Sequence, residues 1–272
     1  MSGGPDSLCL LILAASAGCE VTAIHVDHGL RPRSGDEADV VRRVADRFGA
    51  GFRSVQAPVE AGPNLEARAR AARYAALPAE VLTGHTADDQ AETVLLNLLR
   101  GAALDGLAGM APQRRPLRGV RRGETRTLCA AFAIEPVDDP SNRDPAFRRN
   151  RVRSELIPLL SDIGQRDVVP MLARQADLVR EEITFLDEEA CRLDPHDAAA
   201  LAAAPVVLAR RAVRAWLRQG GPGRSEQHPP DSATVARVLD VVRGDAVACD
   251  VGGGWRVARR HNRLRLEPPS DA

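Results

Sequence analysis

The sequence predicts a doubly wound α/β domain with a parallel sheet, followed by a smaller, mostly helical domain. Three observations carry this. Apolar residues recur with strand and helix periods in alternation through the first 100 residues. Glycine-containing loops stand where strands would hand over to helices. After about Pro158 the strand signal fades into arginine- and glutamate-rich helical patterns. Strands joined through helices of this length run parallel, and right-handed crossovers place the helices on both faces of one sheet.

Taken in order, "MSGGPDSLCLLILAAS" sets a Gly-Gly-Pro-Asp loop directly before an apolar helix, Leu8 to Ala17. A strand follows in "EVTAIHVD", then a helix from Gly35 to Phe48 that ends at Gly49. The run "FRSVQAPV" reads as the next strand, Asn64 as the N-cap of the helix after it, "EVLTGH" as a third strand and Ala87 to Leu99 as a helix. Helices Val168 to Leu193 and Asp197 to Leu217 come next, broken at "RQGGPGRSEQHPPDS". The segment "AVACDVGGGWRVARRHNRLRLEPP" reads as a short β-hairpin turning at His261 and Asn262. The expected domains are residues 1–160 and 161–272. A loop like the first one normally hangs from a strand, and none precedes Ser2. The first, central strand of the sheet is therefore expected to be missing, with the natural chain or its ancestral gene starting roughly 20 to 30 residues upstream.

At 272 residues, 44% apolar and 27% charged, the chain can bury a large core and has the composition of a soluble globular protein. The apolar run Leu8 to Ala15 is too short to span a bilayer and lacks a signal-peptide flank, so a cytoplasmic protein without a membrane partner is expected. Five scattered cysteines, without a CxxC, argue against a disulfide framework. All 37 basic residues are arginine, which excludes a Walker A lysine and Schiff-base chemistry. From Arg100 to Glu155 twelve arginines meet seven acidic residues, a net of +5, and Arg256, Arg259, Arg260, Arg263 and Arg265 form a second cluster. Guanidinium groups bind phosphate bidentately, so the two patches point to a nucleic-acid backbone; arginine as the general solubilising residue of a lysine-free chain explains them equally well.

In SGGPDS, Gly3 and Gly4 let the backbone turn its amides toward an anion, and the helix that follows directs its positive end to the same place. Ser2 and Ser7 add hydroxyl donors around Pro5. Asp6 is the informative residue, because a carboxylate beside phosphates is repelled unless a cation such as Mg²⁺ bridges them. Taken alone the loop is also an ordinary turn signature. The second motif, "GHTADDQAET", lies at the carboxyl edge of the sheet, where doubly wound folds hold ligands. There Thr86 can cap the helix, and Asp88 and Asp89 can complement its dipole. His85, just before the helix, and Glu92, one turn on from Asp88 and Asp89, add candidates for proton transfer and metal binding. In "HVDHGLRPRSGDE", His25 and Asp27 share a strand face and His28 does not, which argues against a metal held by all three.

SGGPDS, VDHGLR, GHTADDQAET with the following LLNLLRG, the RPL at Arg115 to Leu117, and "DDPSNRDPAFRRNRVRSELIPLL" occur in the order seen in the tRNA(Ile)-lysidine synthases. Over about residues 2–160 the chain resembles that family, which belongs to the PP-loop ATP pyrophosphatase superfamily. The resemblance implies a ligase that uses ATP and Mg²⁺ to adenylate O2 of the wobble cytidine in tRNA(Ile) with a CAU anticodon. Free L-lysine then displaces AMP at C2. It implies ATP binding by Ser2, Gly3, Gly4, Pro5, Asp6, Ser7, His28, Arg31 and Gly84, and metal binding by Asp6 and Glu92. Asp89, with Asp88 second, is the expected general base for lysine's amine; His85 and Arg100 belong to the reaction centre, and Arg115, Arg148, Arg149 and Arg151 to the tRNA. Two other readings compete: a tRNA cytidine thiolase of the same superfamily, which would be expected to carry paired cysteines, and a nucleotide-binding module without catalysis.

Overall fold

The computed structural model describes residues 1–27, 29, 34–59, 62, 65–138, 141, 144–220 and 230–269. The chain forms two compact units, Met1–Val179 and Arg180–Ala272, and the division falls inside one long helix.

In the first unit, α1 (Pro5–Ser16) starts at Gly4, whose extended backbone caps it. Proline suits the first turn, where its missing N–H has no helical acceptor. Leu8, Leu11 and Ile12 recur at helical spacing and are buried, each contributing about 1.5–3 kcal/mol. Strands β1 (Thr22–Asp27) and β2 (Gly51–Gln56) pair in parallel, from Thr22 opposite Gly51 to Asp27 opposite Gln56, with α2 (Ser34–Arg47) as the crossover between them. Val41, Val44 and Ala45 of α2 share one core with the α1 leucines, Ala23, Cys129 and Ile134. Helix α3 (Leu65–Ala75) follows; its expected cap, Asn64, lies outside the described residues.

The run "EVLTGH" is not the expected third strand. A strand needs a ladder neighbour, and here the Thr83 N–H donates at 2.9 Å to the carbonyl of Arg114, in a turn-rich stretch. Helix α4 (Ala87–Leu99) has the expected bounds. Beyond the short α5 (Leu104–Leu107) comes α6 (Arg122–Ala131), which the sequence reading did not include. Its Leu128 and Cys129, with Phe132, pack against the core around α1. Helix α7 (Arg148–Arg151), a π-helical turn (Val152–Leu156) and α8 (Ile157–Ile163) run on continuously, and the unit ends within α9 (Val169–Cys191), at Val179.

The second unit holds α10 (Ala198–Ala203), α11 (Val206–Gly220), α12 (Ser232–Arg243) and an antiparallel sheet of β3 (Ala248–Gly252), β4 (Trp255–Arg260) and β5 (Arg263–Glu267). The single helix expected from Asp197 is divided at Pro205, because proline cannot donate to the preceding turn and clashes with it. The expected hairpin is the β4–β5 part of the sheet, turning at His261 and Asn262 with φ of 51° and 60°. Leu201, Val213, Trp216, Leu217, Val238, Val257 and Leu264 form the core of this unit, and His196 meets the Trp216 ring edge-on at 5.1 Å.

Candidate active site

The loop before α1 is shaped by its own small residues. Gly3 has φ of 69°, and a Cβ there would lie 2.7 Å from Val137 Cγ2, so both conformation and space require glycine. The Val137 N–H donates to the Gly3 carbonyl at 3.0 Å. Ser2 Oγ accepts from the Gly4 N–H at 3.4 Å, and Ser7 Oγ donates to the Gly4 carbonyl at 3.0 Å. Gly84 is the seat on which the second motif meets this loop. A Cβ at Gly84 would stand 2.5 Å from the Asp6 carbonyl oxygen and 3.1 Å from the Ser7 nitrogen, main-chain atoms that cannot swing aside. Loop and motif therefore lie side by side even though the segment between Glu80 and His85 is not a strand.

At the start of α4, Thr86 and Asp89 form a capping box. The Thr86 N–H and Oγ1–H each donate to Asp89 Oδ2 at 2.9 Å, and Thr86 Oγ1 accepts from the Asp89 N–H at 3.4 Å. Asp89 Oδ1 accepts from Arg122 at 3.0 Å and from Arg149 at 2.9 Å. Asp88 accepts from the Arg122 backbone N–H at 2.8 Å and from Arg121 at 3.1 and 3.2 Å; Arg121 also pairs with Asp167. Glu92, fully buried, receives Arg122 at 3.0 Å, Arg149 at 2.6 Å and Arg153 at 2.7 and 3.2 Å. Asp6 accepts from Thr125 Oγ1 at 2.5 Å, and its other oxygen stands 3.6 Å from Arg122. Gln90, also buried, holds the next loop by donating to the Ala108 carbonyl at 3.2 Å and accepting from the Met110 N–H at 2.8 Å.

The charges set the protonation states. Burial alone would raise the Asp89 carboxyl, but Arg122, Arg149 and the bonds from Thr86 outweigh it and hold the group below the usual carboxylate range. Asp88 is likewise lowered, burial being outweighed by Arg121 and the Arg122 N–H. At Asp6 burial wins over Thr125 and Arg122, and the carboxyl is raised. His85 is pushed down to about 4, chiefly by burial, with Arg115, Arg149 and Arg70 disfavouring its charge while Asp89 favours it. It is neutral at pH 7, and its Nδ1 is 2.8 Å from Thr83 Oγ1.

Ser2, Gly3, Gly4, Pro5, Asp6, Ser7, Gly84, His85, Asp88 and Asp89 thus come together as expected from the two motifs. His28 and Arg31 lie outside the described residues. Others fall elsewhere. Glu92 is not placed as a metal ligand: three guanidinium groups fill its oxygens and repel a cation. Arg100 caps the far end of α4, about 16 Å along the helix from Asp89. Asp89, expected as general base, lies with the loop but accepts four hydrogen bonds, two from Thr86 and one each from Arg122 and Arg149. Arg149 is drawn into the carboxylate network rather than toward RNA, and Arg115 donates to the carbonyls of Ala111 and Gln113 at 2.7 and 3.4 Å. Arg148 is exposed, and Arg151, also exposed, pairs with Glu155 at 2.8 Å. The residues sequence reasoning missed are Arg122, Thr125 and Arg153. An available signal was the spacing of Thr125, Leu128, Cys129 and Phe132, which marks a helix placing Arg122 at its start. Among the described residues no group of three or more His, Cys, Asp or Glu is arranged to hold a metal, and no helix is long and apolar enough to cross a membrane.

Comparison with known proteins agrees with this layout. Residues 1–160 match a family described as the PP-loop domain, and residues 197–265 match the TilS substrate binding domain. The tRNA(Ile)-lysidine synthase of Nocardia farcinica is 45% identical over 98% of this chain and 89% of its own length. That of Rhodococcus erythropolis is 42% identical over 98% and 88%, and that of Mycobacterium leprae 43% identical over 96% and 87%. Among solved structures, the U34-tRNA thiolase NcsA from Methanococcus maripaludis superimposes with a TM-score of 0.53 at 18% identity, covering 66% of this chain and 71% of that one, a likeness of fold. With a PP-loop domain over more than half its length and relatives of this identity over nearly all of it, the chain belongs to the tRNA(Ile)-lysidine synthase family.

Proposed function

We propose that the protein adenylates the wobble cytidine of a tRNA(Ile) with a CAU anticodon and joins free L-lysine to its C2, releasing pyrophosphate and AMP. One observation carries the reading: Gly84 seats the His85–Asp89 end of α4 directly against the anion-binding loop at Asp6. The matching relatives and the TilS substrate binding domain support a tRNA substrate. In this reading the N–H groups of the loop and of the first turn of α1 hold the ATP phosphates. Asp6 fits a Mg²⁺ shared with those phosphates, because among the described residues one of its oxygens meets Arg122 alone, at 3.6 Å, and burial leaves its charge under-compensated. Bound there, the ion would neutralise phosphate charge.

The cytidine O2 attacks the α-phosphorus, and the bond to pyrophosphate breaks as the new O–P bond forms. Lysine's amine then attacks C2, and AMP departs with O2. The amine has a free pKa near 10.4 and must lose protons to react. We assign that step to His85 rather than Asp89, since its ring is neutral and, among the described residues, only its Nδ1 is engaged, by Thr83. Substrate phosphates near Arg115 and Arg149 would offset the charges that lower its pKa and strengthen it as a base.

The test is AMP release and lysidine formation by the purified chain with ATP, Mg²⁺ and a tRNA(Ile) transcript, with lysine or sulfide supplied separately. AMP formation that needs lysine is expected, with little from a methionine tRNA carrying the same triplet. Dependence on sulfide, or no turnover with either, would overturn the assignment.

A further inference from the structure

We propose that one end of the outer face of the β3–β5 sheet, built on Arg260, Arg263 and Arg265, is a contact for the phosphate backbone of the tRNA; the partner's identity rests on the function proposed above. In the sequence the five arginines from Arg256 to Arg265 form one undivided cluster. Strand register separates them. Cross-strand partners share a face, and the faces alternate along each strand. Val257 opposite Leu266 and Arg259 opposite Leu264 face inward, and Arg259 is used there, donating to the Val242 carbonyl at 2.8 Å and to Asn262 Oδ1 at 2.5 Å.

The outward face carries three rows. Asp250, Arg256 and Glu267 make the first, Ala248, Ala258 and Arg265 the second, and Arg260 opposite Arg263 the third. Arg256 is thus flanked by two carboxylates in register, whereas the next two rows hold three arginines and no acid. Arg263 is partly offset by Asp194 at 2.7 Å, from outside the sheet. Arg260 and Arg265 are exposed and form no ion pair among the described residues. Like charges directly opposite one another destabilise a sheet. Three guanidinium groups on adjacent rows of one exposed face set their forks side by side, and each suits bidentate phosphate. Ala248 and Ala258 keep the neighbouring surface low, so a nucleic-acid backbone can approach. This face also lies at the end of the segment matched as the TilS substrate binding domain, residues 197–265.

The experiment titrates tRNA(Ile) transcript against the full chain at several salt concentrations, for the wild type, Arg260→Ala/Arg265→Ala and Arg256→Ala. The double variant should lower the slope of log affinity against log salt by about 1.5, roughly 0.7 to 0.9 for each lost contact, and leave ATP binding unchanged. Its unfolding midpoint without RNA should equal or exceed the wild type's, because the Arg260–Arg263 repulsion is removed. Arg256→Ala should change the slope by less than half as much. An unchanged slope in the double variant, an equal effect from Arg256→Ala, or an equal loss of binding to anionic lipid vesicles would overturn the proposal. Absence of tRNA binding by the wild type would instead remove the functional reading beneath it.

Discussion

One guanidinium group, that of Arg122, stands within 3.6 Å of carboxylates from both motif segments: Asp6 of the loop, and Asp89 and Glu92 of α4. Its backbone N–H takes a fourth carboxylate, Asp88. Four negative groups so close together would repel one another without it, and this sharing limits what any one of them can do. Asp89 illustrates the point. Asp89→Asn keeps the shape but removes the charge that faces Arg122 and Arg149, leaving two partly buried cations under-compensated. We expect it to cost on the order of 2–4 kcal/mol of stability and to lower turnover at least about 100-fold. Thermal unfolding and AMP release measured on the same preparation check this. Lost turnover with an unchanged midpoint would return the general-base role to Asp89.

Between elements, Glu92 is the junction where α4, α6, α7 and the π-helical turn meet, because Arg122, Arg149 and Arg153 converge on it. Arg149 and Arg153, four residues apart, straddle the start of the π-helical turn, an insertion common beside functional sites. Glu92→Gln leaves three cations around a neutral group and should destabilise the first unit by about 3 kcal/mol or more, with no rescue by Mg²⁺; denaturant unfolding with and without the ion measures both. A Mg²⁺ stabilisation of the wild type that Glu92→Gln abolishes would make Glu92 a metal ligand after all. The same elements mark what sequence could tell. Helix α4 was legible to the residue because Thr86 caps it and its apolar period stops at Leu99. The "EVLTGH" run was misread because strand identity depends on a neighbour, which local pattern does not contain. The carboxylates were legible as candidates, but their roles were not. Arg122 and Arg149 lie 33 and 60 residues from Asp89, and no spacing rule reaches that far.

For the whole molecule, an even charge balance hides a division. The 37 arginines and 37 acidic residues cancel, yet in the first unit the charge is used to bury a network, and in the second it is left on a sheet face. Buried networks make stability depend on pH, and His85 sets the window. Its folded pKa of about 4 lies below the ordinary value of 6.5, so the unfolded chain takes up the proton first. The stabilisation is complete above about pH 6.5 and is lost progressively as the pH falls toward 4, up to roughly 3 kcal/mol in all. Below that range Asp88 and Asp89, both lowered in the fold, add a further loss as they protonate, whereas Asp6, raised, works in the opposite sense and earlier, its penalty being relieved before the pH reaches the ordinary carboxylate value. Urea unfolding from pH 7.5 to 4.5 should therefore show the wild type losing about 2–3 kcal/mol below pH 6.5, and His85→Gln should flatten that stretch of the curve, since its amide does not titrate. Parallel curves for the two proteins would mean that His85 takes up a proton as readily in the fold as out of it. Its burial would then not be what keeps the ring neutral and ready for lysine's proton.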